Sequence, residues 1–542
     1  MNSNDFDRDL QNLFNKFFKD LKSSKWKKWL EIRSKEEYED LAFKLSGIGN
    51  KNDFLNDINR ITTDSREFSV NRDSFIISHD TSEPLILCHT SGTTDSKISN
   101  LKWFHMNNEI IKRIWIPGMN AIFESSGLTR DTSSVIFVPS RIETDGIKKI
   151  EDKQYISLYS SEFSQRLAIS VINPKNYLFH EYKEAKNLDV IFKLLSMEDI
   201  SVISAPATTI IGWADVDKFK RGILTNLKLN ENNPVKNRNI LHEVIENEGI
   251  HKGSRKIQNL LSDKLSNARL IFSISNLSES QWDLISKFMR WNNGKKNFTN
   301  LYVGSEIGPF ACSLTNDVAN KNQLHVLPLT IPVIENKGKR ELISITNARI
   351  GNLLVSYSIN SQNRINIDTG DVISIEKKDK GLPIISGRIL RNKFKLKYPI
   401  KISPEIEKFQ EYDVFAGHYF PFEDFEIENP KKIIECLKKK TELKSDSLLL
   451  INSDKNSNKY KLILSVYNKN NRVTAQELTK QILKCELGGK IKATIQNDKL
   501  QLKLVKDPPV DYMESREEIL SRVRSGLIPK GILKKWPLYV LE

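Results

Sequence analysis

Apolar side chains recur at helical spacing over the first 75 positions. Phe14, Phe17, Phe18 and Leu21 fall on one side of a helix, and Trp29, Ile32 and Leu41 continue the pattern, which predicts a helical lead-in over residues 1–75. Residues 84–88 form an apolar run of strand length, followed at once by a Ser/Gly/Thr-rich stretch at 89–94. A helix is predicted over 103–124. Further strand-length apolar runs occur at 134–139, 201–205 and 269–274, separated by helical patterns such as 279–289. Strands alternating with helices predict an α/β architecture with a largely parallel sheet.

The pattern changes twice more. Between 324 and 375, short alternating stretches at 342–345, 351–357 and 371–375 predict a small antiparallel sheet or sub-barrel packed with the helical layers. Beyond Gly387-Arg388 the chain reads as a helix at 430–443, strands at 447–451 and 459–466, a helix at 474–485, and strands at 490–495 and 501–505. That is a compact α+β unit of ordinary domain size. The expected organisation is therefore a large mixed α/β domain over 76–387 that includes the lead-in of 1–75, then a small α+β domain over 388–542.

Length and composition narrow the class. A chain of 542 residues exceeds what one core usually supports, and 39% hydrophobic residues is enough apolar material for real cores. No apolar run approaches the ~20 residues of a membrane-spanning helix, and the first 18 residues lack an apolar signal core, so a cytoplasmic protein is expected. The net charge of +15 comes from Lys spread along the whole chain rather than from a patch. That distribution points away from nucleic acid and toward mild attraction for anionic small molecules. Cys88, Cys312, Cys436 and Cys485 stand far apart with no CxxC pair, which predicts reduced thiols and no structural zinc.

Four stretches carry candidate chemistry. In His89-Thr90-Ser91-Gly92-Thr93-Thr94-Asp95-Ser96-Lys97, hydroxyls and backbone N–H groups after a strand suit phosphate oxygens, and Lys97 suits their charge; the same residues also serve as an ordinary helix-capping turn. In Tyr302-Val303-Gly304-Ser305-Glu306-Ile307-Gly308, an aromatic ring precedes a carboxylate able to hold Mg²⁺ beside phosphates. Asp368-Thr369-Gly370-Asp371 and Gly387-Arg388 offer a carboxylate and a guanidinium for ribose hydroxyls, although Asp-Gly pairs are also common turns. Near the end, Pro529-Lys530-Gly531-Ile532-Leu533-Lys534-Lys535-Trp536 offers lysines on a terminal segment, or a solvated basic tail.

In order and spacing the four stretches resemble the motifs of the adenylate-forming superfamily: acyl-CoA and aryl-CoA synthetases, nonribosomal adenylation domains and luciferases. Residues 90–97 are similar to its phosphate loop, and residues 302–306 to its Tyr-Gly-x-Thr-Glu motif, with the following Ile-Gly close to the phenylacetate-CoA ligase branch. Thr369-Gly370-Asp371 matches its Thr-Gly-Asp. Gly387-Arg388 followed by Ile402-Ser403-Pro404-Glu405-Ile406-Glu407 resembles the stretch that opens its small domain. The resemblance spans residues 80–542 and implies roles. Thr90, Ser91, Gly92, Thr93, Thr94 and Lys97 would hold ATP phosphates. Tyr302, Gly304 and Ser305 would border the nucleotide, Glu306 would ligate Mg²⁺, and Asp371 and Arg388 would bind ribose. Lys534, with Lys530 and Lys535 as alternatives, would be the adenylation lysine, and Lys534, Glu306 and Thr94 form the expected catalytic set. ATP, Mg²⁺ and coenzyme A are the implied cofactors, and a small carboxylic acid the substrate.

The departures define a divergent member. Asp95 replaces a glycine of the phosphate loop, Val303 follows Tyr302 where glycine is usual, Leu390 stands at the usual hinge position, and residues 269–276 lack the glycines of an acyl-binding segment. Two alternatives follow: a relative that binds nucleotide or acyl ligand without ligation, or one whose acceptor is an amine or a separate carrier protein. A P-loop NTPase is excluded because residues 526–531 are followed by Ile532 where lysine is needed, and an α/β hydrolase because Ser305 directly follows Gly304. Trp213, Phe272 and Phe310 are aromatic candidates for an acyl pocket or for core. The identity of the acid and the oligomeric state are not encoded in any motif.

Overall fold

The computed structural model describes residues 3–18, 35–79, 85–89, 101–231, 239–273, 279–291, 297–314, 323–336, 338–348, 350–376, 381–390, 392–403, 406–417, 419–421, 426–428, 430–438, 448–454, 459–465, 474–484, 495–496, 498–505 and 538–541. The chain opens with α1 (Ser3–Phe18), α2 (Lys35–Ser46), α3 (Lys51–Asp57) and α4 (Arg72–Ser78), then β1 (Ile86–His89) and β2 (Trp103–His105). Next comes α5 (Asn108–Ile110), a π turn (Ile111–Trp115) and α6 (Ile116–Ser125). These are followed by β3 (Ser133–Val138), β4 (Gly146–Ile150), β5 (Lys153–Tyr159), α7 (Ser160–Ile172), β6 (Asn176–Glu181), α8 (Leu188–Ser196) and β7 (Ile200–Ser204). Then come α9 (Ala207–Ala214), α10 (Val216–Glu231), α11 (Ile240–Leu265), β8 (Arg269–Ser273), α12 (Glu279–Phe288), β9 (Phe298–Gly304) and β10 (Gly308–Cys312). The strands β11 (Gln323–Val326), β12 (Ile331–Asn336), β13 (Lys339–Leu342), β14 (Ile350–Ile359), β15 (Gln362–Glu376) and β16 (Ile384–Leu390) close the larger part.

One twelve-stranded sheet organises that part, in the order β13-β12-β14-β15-β16-β11-β10-β9-β8-β7-β3-β6. From β9 to β6 every pairing is parallel; from β10 to β13 every pairing is antiparallel. The parallel strands are apolar on both sides because helices cover both faces. Val135 and Phe137 point into a core with α8–α12, while Ile136 and Val138 point into the core under α6 and α7. The antiparallel strands join the predicted barrel segment to the same sheet. The lead-in helices cover the larger part too: Leu10, Phe14 and Phe18 of α1 enter the central core, and Phe43, Phe54 and Ile58 pack on Ile331, Val333 and Leu354. A second, four-stranded sheet has the order β2-β1-β5-β4.

The helix from Asn108 to Ser125 widens into its π turn immediately before Pro117. Proline has no N–H to give to a carbonyl one turn back, so the helix accommodates it by a wider turn. Residues 103–105, expected as helix, are strand β2 instead, since Leu87, Cys88 and His89 recruit them as an antiparallel partner. Likewise residues 343–345 form a turn rather than a strand, because β13 ends at Leu342.

After β16 the chain enters a six-stranded sheet, β17-β18-β24-β21-β22-β23, built from β17 (Asn392–Ser403), β18 (Ile406–Gly417), β21 (Leu448–Asp454), β22 (Lys459–Ser465), β23 (Leu500–Val505) and β24 (Leu538–Leu541). A small hairpin of β19 (Tyr419–Pro421) and β20 (Glu426–Glu428) and the helices α13 (Pro430–Lys438) and α14 (Ala475–Lys484) complete it. Ile433, Ile434 and Leu437 pack on Leu448, Leu450, Leu462 and Val540. The expected boundary at 387/388 falls inside β16, and the sheets change over between Leu390 and Asn392. Most of the strand expected at 490–495 lies outside the described residues, as do 439–443 of the expected helix. Cys436 is disulfide-bonded, which corrects the expectation of four reduced thiols; wide spacing in sequence does not keep two cysteines apart in space. Cys88 and Cys312 are free and buried. Among the described residues no helix is long and apolar enough to cross a membrane.

Candidate functional site

The stretch Tyr302–Gly308 is a tight hairpin. Gly304 and Gly308 face each other in register, so Ser305, Glu306 and Ile307 alone make the turn between β9 and β10. Gly308 sits at φ 72°, a left-handed conformation that glycine adopts at no steric cost. A Cβ there would lie 2.6 Å from Ile114 Cγ2, and one at Gly118 would lie 2.5 Å from Pro309 Cβ. The helix carrying the π turn therefore presses against the hairpin at two points and fixes where Glu306 stands.

Polar contacts then join distant stretches. Ser160, the first residue of α7, donates to the His89 carbonyl at 3.2 Å and pairs its hydroxyl with that of Ser305. The strand leading into residues 90–97 and the Glu306 turn thus share one side chain. On the other side of the hairpin, the Tyr302 hydroxyl donates to Asp371 Oδ2. β9 and β15 are four places apart in the sheet. Flat, four strand spacings would separate them by about 19 Å, so the antiparallel half must curl back over β9. Tyr302 and Asp371 are buried, and the tyrosine ring meets Phe310 edge-on at 5.2 Å. Thr369 Oγ1 accepts from the Asp371 N–H at 3.2 Å, and Asp368 Oδ1 accepts from the Gly370 N–H at 2.8 Å, which shapes the Thr-Gly-Asp turn.

Several residues without a motif complete the surroundings. The His89 ring is fully buried between Trp103 and Tyr159 and pairs through Nε2 with Asp145 Oδ1 at 2.9 Å. Asp145 also accepts from the Ile142 N–H and the Ser157 hydroxyl. Tyr357 donates to the Glu306 carbonyl at 2.8 Å and accepts from Arg364 at 2.9 Å. Burial pushes the Tyr357 hydroxyl above the usual phenol range, with Arg364 opposing that shift. Beneath Ser160, Glu162 lies between Arg141 and Arg166, both of which also reach Asp7 of α1. Burial alone would raise the Glu162 carboxyl, but the two guanidinium charges outweigh it and hold it below the usual carboxylate range.

The structure thus brings together His89, Ser160, Ser305 and the Glu306 turn, and brings Tyr302 to Asp371. Backbone pairing sets Leu390 opposite Asp371 and Ile389 opposite Val372, so Arg388 lies one position further along a strand adjoining Asp371; the Arg388 side chain is outside the described residues. So are Thr90, Ser91, Gly92, Thr93, Thr94, Asp95, Lys97, Lys530, Lys534 and Lys535. Trp213 and Phe272 belong to one face of the sheet and Phe310 to the other, so the three aromatics do not line a common pocket. Sequence reasoning missed Ser160, Asp145, Tyr357 and Arg364, each a lone residue in an ordinary strand, helix or turn.

Among the described residues no three His, Cys, Asp or Glu side chains cluster as a metal cage. A lone carboxylate such as Glu306 fits an ion of the Mg²⁺ type, which keeps its waters and takes most remaining ligands from substrate phosphates.

No family model matches the chain, and no curated protein matches it. Solved structures similar to it include "GH3.15 acyl acid amido synthetase", with a TM-score of 0.48, 12% identity, and coverage of 97% of this chain and 93% of that one. MatB from Rhodopseudomonas palustris has a TM-score of 0.39 and 10% identity over 81% of this chain and 67% of its own. The amide bond synthetase McbA from Marinactinospora thermotolerans has a TM-score of 0.38 and 9% identity over 82% and 70%.

Proposed function

We propose that this chain is a divergent adenylate-forming ligase: it activates a small carboxylic acid with ATP and passes the acyl group to a thiol, with coenzyme A as the acceptor. The observation that carries the reading is the meeting of motif stretches more than 200 positions apart. Ser160 links the His89 strand to Ser305, and Tyr302 reaches Asp371; the described residues of the three stretches are so joined around one hairpin, which supports the reading.

In this reading a carboxylate oxygen attacks the α-phosphorus, the bond to pyrophosphate breaks, and acyl-AMP forms. A thiolate then attacks the acyl carbon and AMP leaves. Such chemistry asks the protein for positioning and charge rather than for a covalent nucleophile. Residues 90–97 hold the phosphates, Asp371 and Arg388 the ribose, and Lys534 the forming anhydride bridge. Glu306 would hold Mg²⁺, which supplies charge neutralisation at the phosphate oxygens. The strands and helices after β16 serve as the smaller moving unit that carries Lys534.

The test is acid-dependent ATP–pyrophosphate exchange over a panel of carboxylic acids, followed by product analysis with coenzyme A, amines and a carrier protein. Exchange with at least one acid is expected, with a CoA ester as product. Lys534→Ala should abolish exchange while leaving thioester formation from supplied acyl-AMP largely intact. Absence of exchange with every acid would overturn the adenylation reading. Exchange that yields only an amide or a carrier-bound acyl group would overturn the choice of acceptor.

A further inference from the structure

The resemblance of residues 302–306 to a nucleotide-binding motif would set Tyr302 against the nucleotide. The structure encloses that ring instead. Tyr302 is 0% exposed. It pairs with Ala311 across the hairpin of β9 and β10, and its ring meets Phe310 edge-on. Ile307, Phe310 and Ala311 are buried with it in the central core. A stacked base covers one whole face of an aromatic ring, and a ring enclosed on every side offers no such face.

The polar end of the side chain has a defined task. The Tyr302 hydroxyl donates to Asp371 Oδ2, and a hydroxyl on a carboxylate is one of the stronger kinds of hydrogen bond. Asp371 is 3% exposed, and its backbone is fixed independently. It pairs with Leu390 of β16, and its N–H donates to Thr369 Oγ1. Those contacts do not settle where the carboxylate oxygens point, because the last torsion of an aspartate is broad. A directed donor on Oδ2 does settle it, and with Oδ2 held the direction of Oδ1 is set as well. The donor comes from β9, four residues before Glu306 on the same hairpin.

We infer that Tyr302 is a positioning residue: its hydroxyl orients the Asp371 carboxylate toward the ribose hydroxyls, and its ring does not carry the base. This rests on the adenylation reading, in which Asp371 takes the ribose, and deepens it. Nucleotide affinity then depends on the oxygen of this side chain rather than on its aromatic face.

Isothermal titration of the full chain in the presence of Mg²⁺ tests this, with ATP and 2′,3′-dideoxy-ATP as separate probes. The analogue keeps the base and the phosphates and lacks both ribose hydroxyls. Wild type should bind ATP about tenfold or more tightly than the analogue, the difference typical of hydrogen bonds to a charged group. Tyr302→Phe keeps the ring and removes the hydroxyl. It should erase most of that preference by weakening ATP, and leave the analogue unchanged. Asp371→Asn should do the same, and Tyr302→Phe added to it should change ATP binding by less than about twofold, since the two residues then act through one contact. Each variant is titrated below its melting midpoint. Unchanged ATP binding by Tyr302→Phe would return the role to the ring and overturn the inference. Equal weakening of both nucleotides would mark a purely structural role and overturn it too. So would a wild-type chain that binds the two nucleotides equally well. A wild-type chain that binds neither would sink the adenylation reading itself, which separates that failure from this one.

Discussion

The two halves of the twelve-stranded sheet are built on opposite rules. From β9 to β3 the strands are short, parallel and covered by apolar packing on both faces, with β6 at the edge. From β10 to β13 they are antiparallel, and two of them, β14 and β15, are much longer and shift register twice. That half shares the central apolar core and packs on the lead-in helices, and directed polar contacts add to this: Tyr302 to Asp371, Tyr357 to the Glu306 carbonyl, and Asn366 Nδ2 to the Ile58 and Ile61 carbonyls at 2.6 and 2.8 Å. The candidate site sits on the seam. The lesson is a division of labour: bulk burial makes the platform, and a few directional bonds decide where the curled half places its functional groups.

The largest effect should come from the platform. Trp213→Ala removes a fully buried ring that packs on Phe137 and Phe288 and should cost about 3–5 kcal/mol in urea unfolding. A cost below about 1 kcal/mol would mean that the parallel half is not held by packing. Next comes Glu162→Gln under the seam. With two guanidinium groups left short of a counter-charge, it should cost about 3 kcal/mol at neutral pH, toward the lower end for a broken buried pair because Asp7 remains. The sign with pH follows from the depressed carboxyl. Its contribution is complete above the unfolded value, roughly pH 5 and higher, and is lost as pH falls through the native value. The gap between wild type and Glu162→Gln should therefore close on acidification; a gap that stays constant would show that the carboxylate charge is not what matters. The smallest effect on stability belongs to a fastening bond. Tyr302→Phe keeps the ring and removes one donor to Asp371, for about 1–2 kcal/mol. If the comparison holds, this variant should lose far more ATP–pyrophosphate exchange than Trp213→Ala does at a temperature where both are folded. The reverse order would erase the distinction between platform and fastening.

The same contrast explains what could be read from the amino acids alone. Residues 134–139, 201–205 and 269–274 announce parallel strands because both faces are covered, so their apolar runs are unbroken. β4 and β6, Gly-Ile-Lys-Lys-Ile and Asn-Tyr-Leu-Phe-His-Glu, lie at sheet edges and alternate too loosely to stand out. The strand at 103–105 was masked by the helix that follows it almost directly. Tyr302, Glu306 and Asp371 were legible because a motif carries them. Ser160, Tyr357 and Arg364 were not, since their significance lies in which distant carbonyl or hydroxyl they meet. The Cys436 disulfide is invisible for the same reason.

The π turn ahead of Pro117 has an engineering consequence. A wide turn amounts to one extra residue in an otherwise regular spiral, so the segments on either side are out of phase by roughly 100° compared with an unbroken helix. Ile114 meets Gly308, and Gly118, four residues on and so on the same side, meets Pro309. Shortening the segment 111–115 by one residue would restore an even pitch but rotate the part before it against the part after it by roughly that angle. Grafts or deletions in this helix should therefore preserve its residue count before its composition.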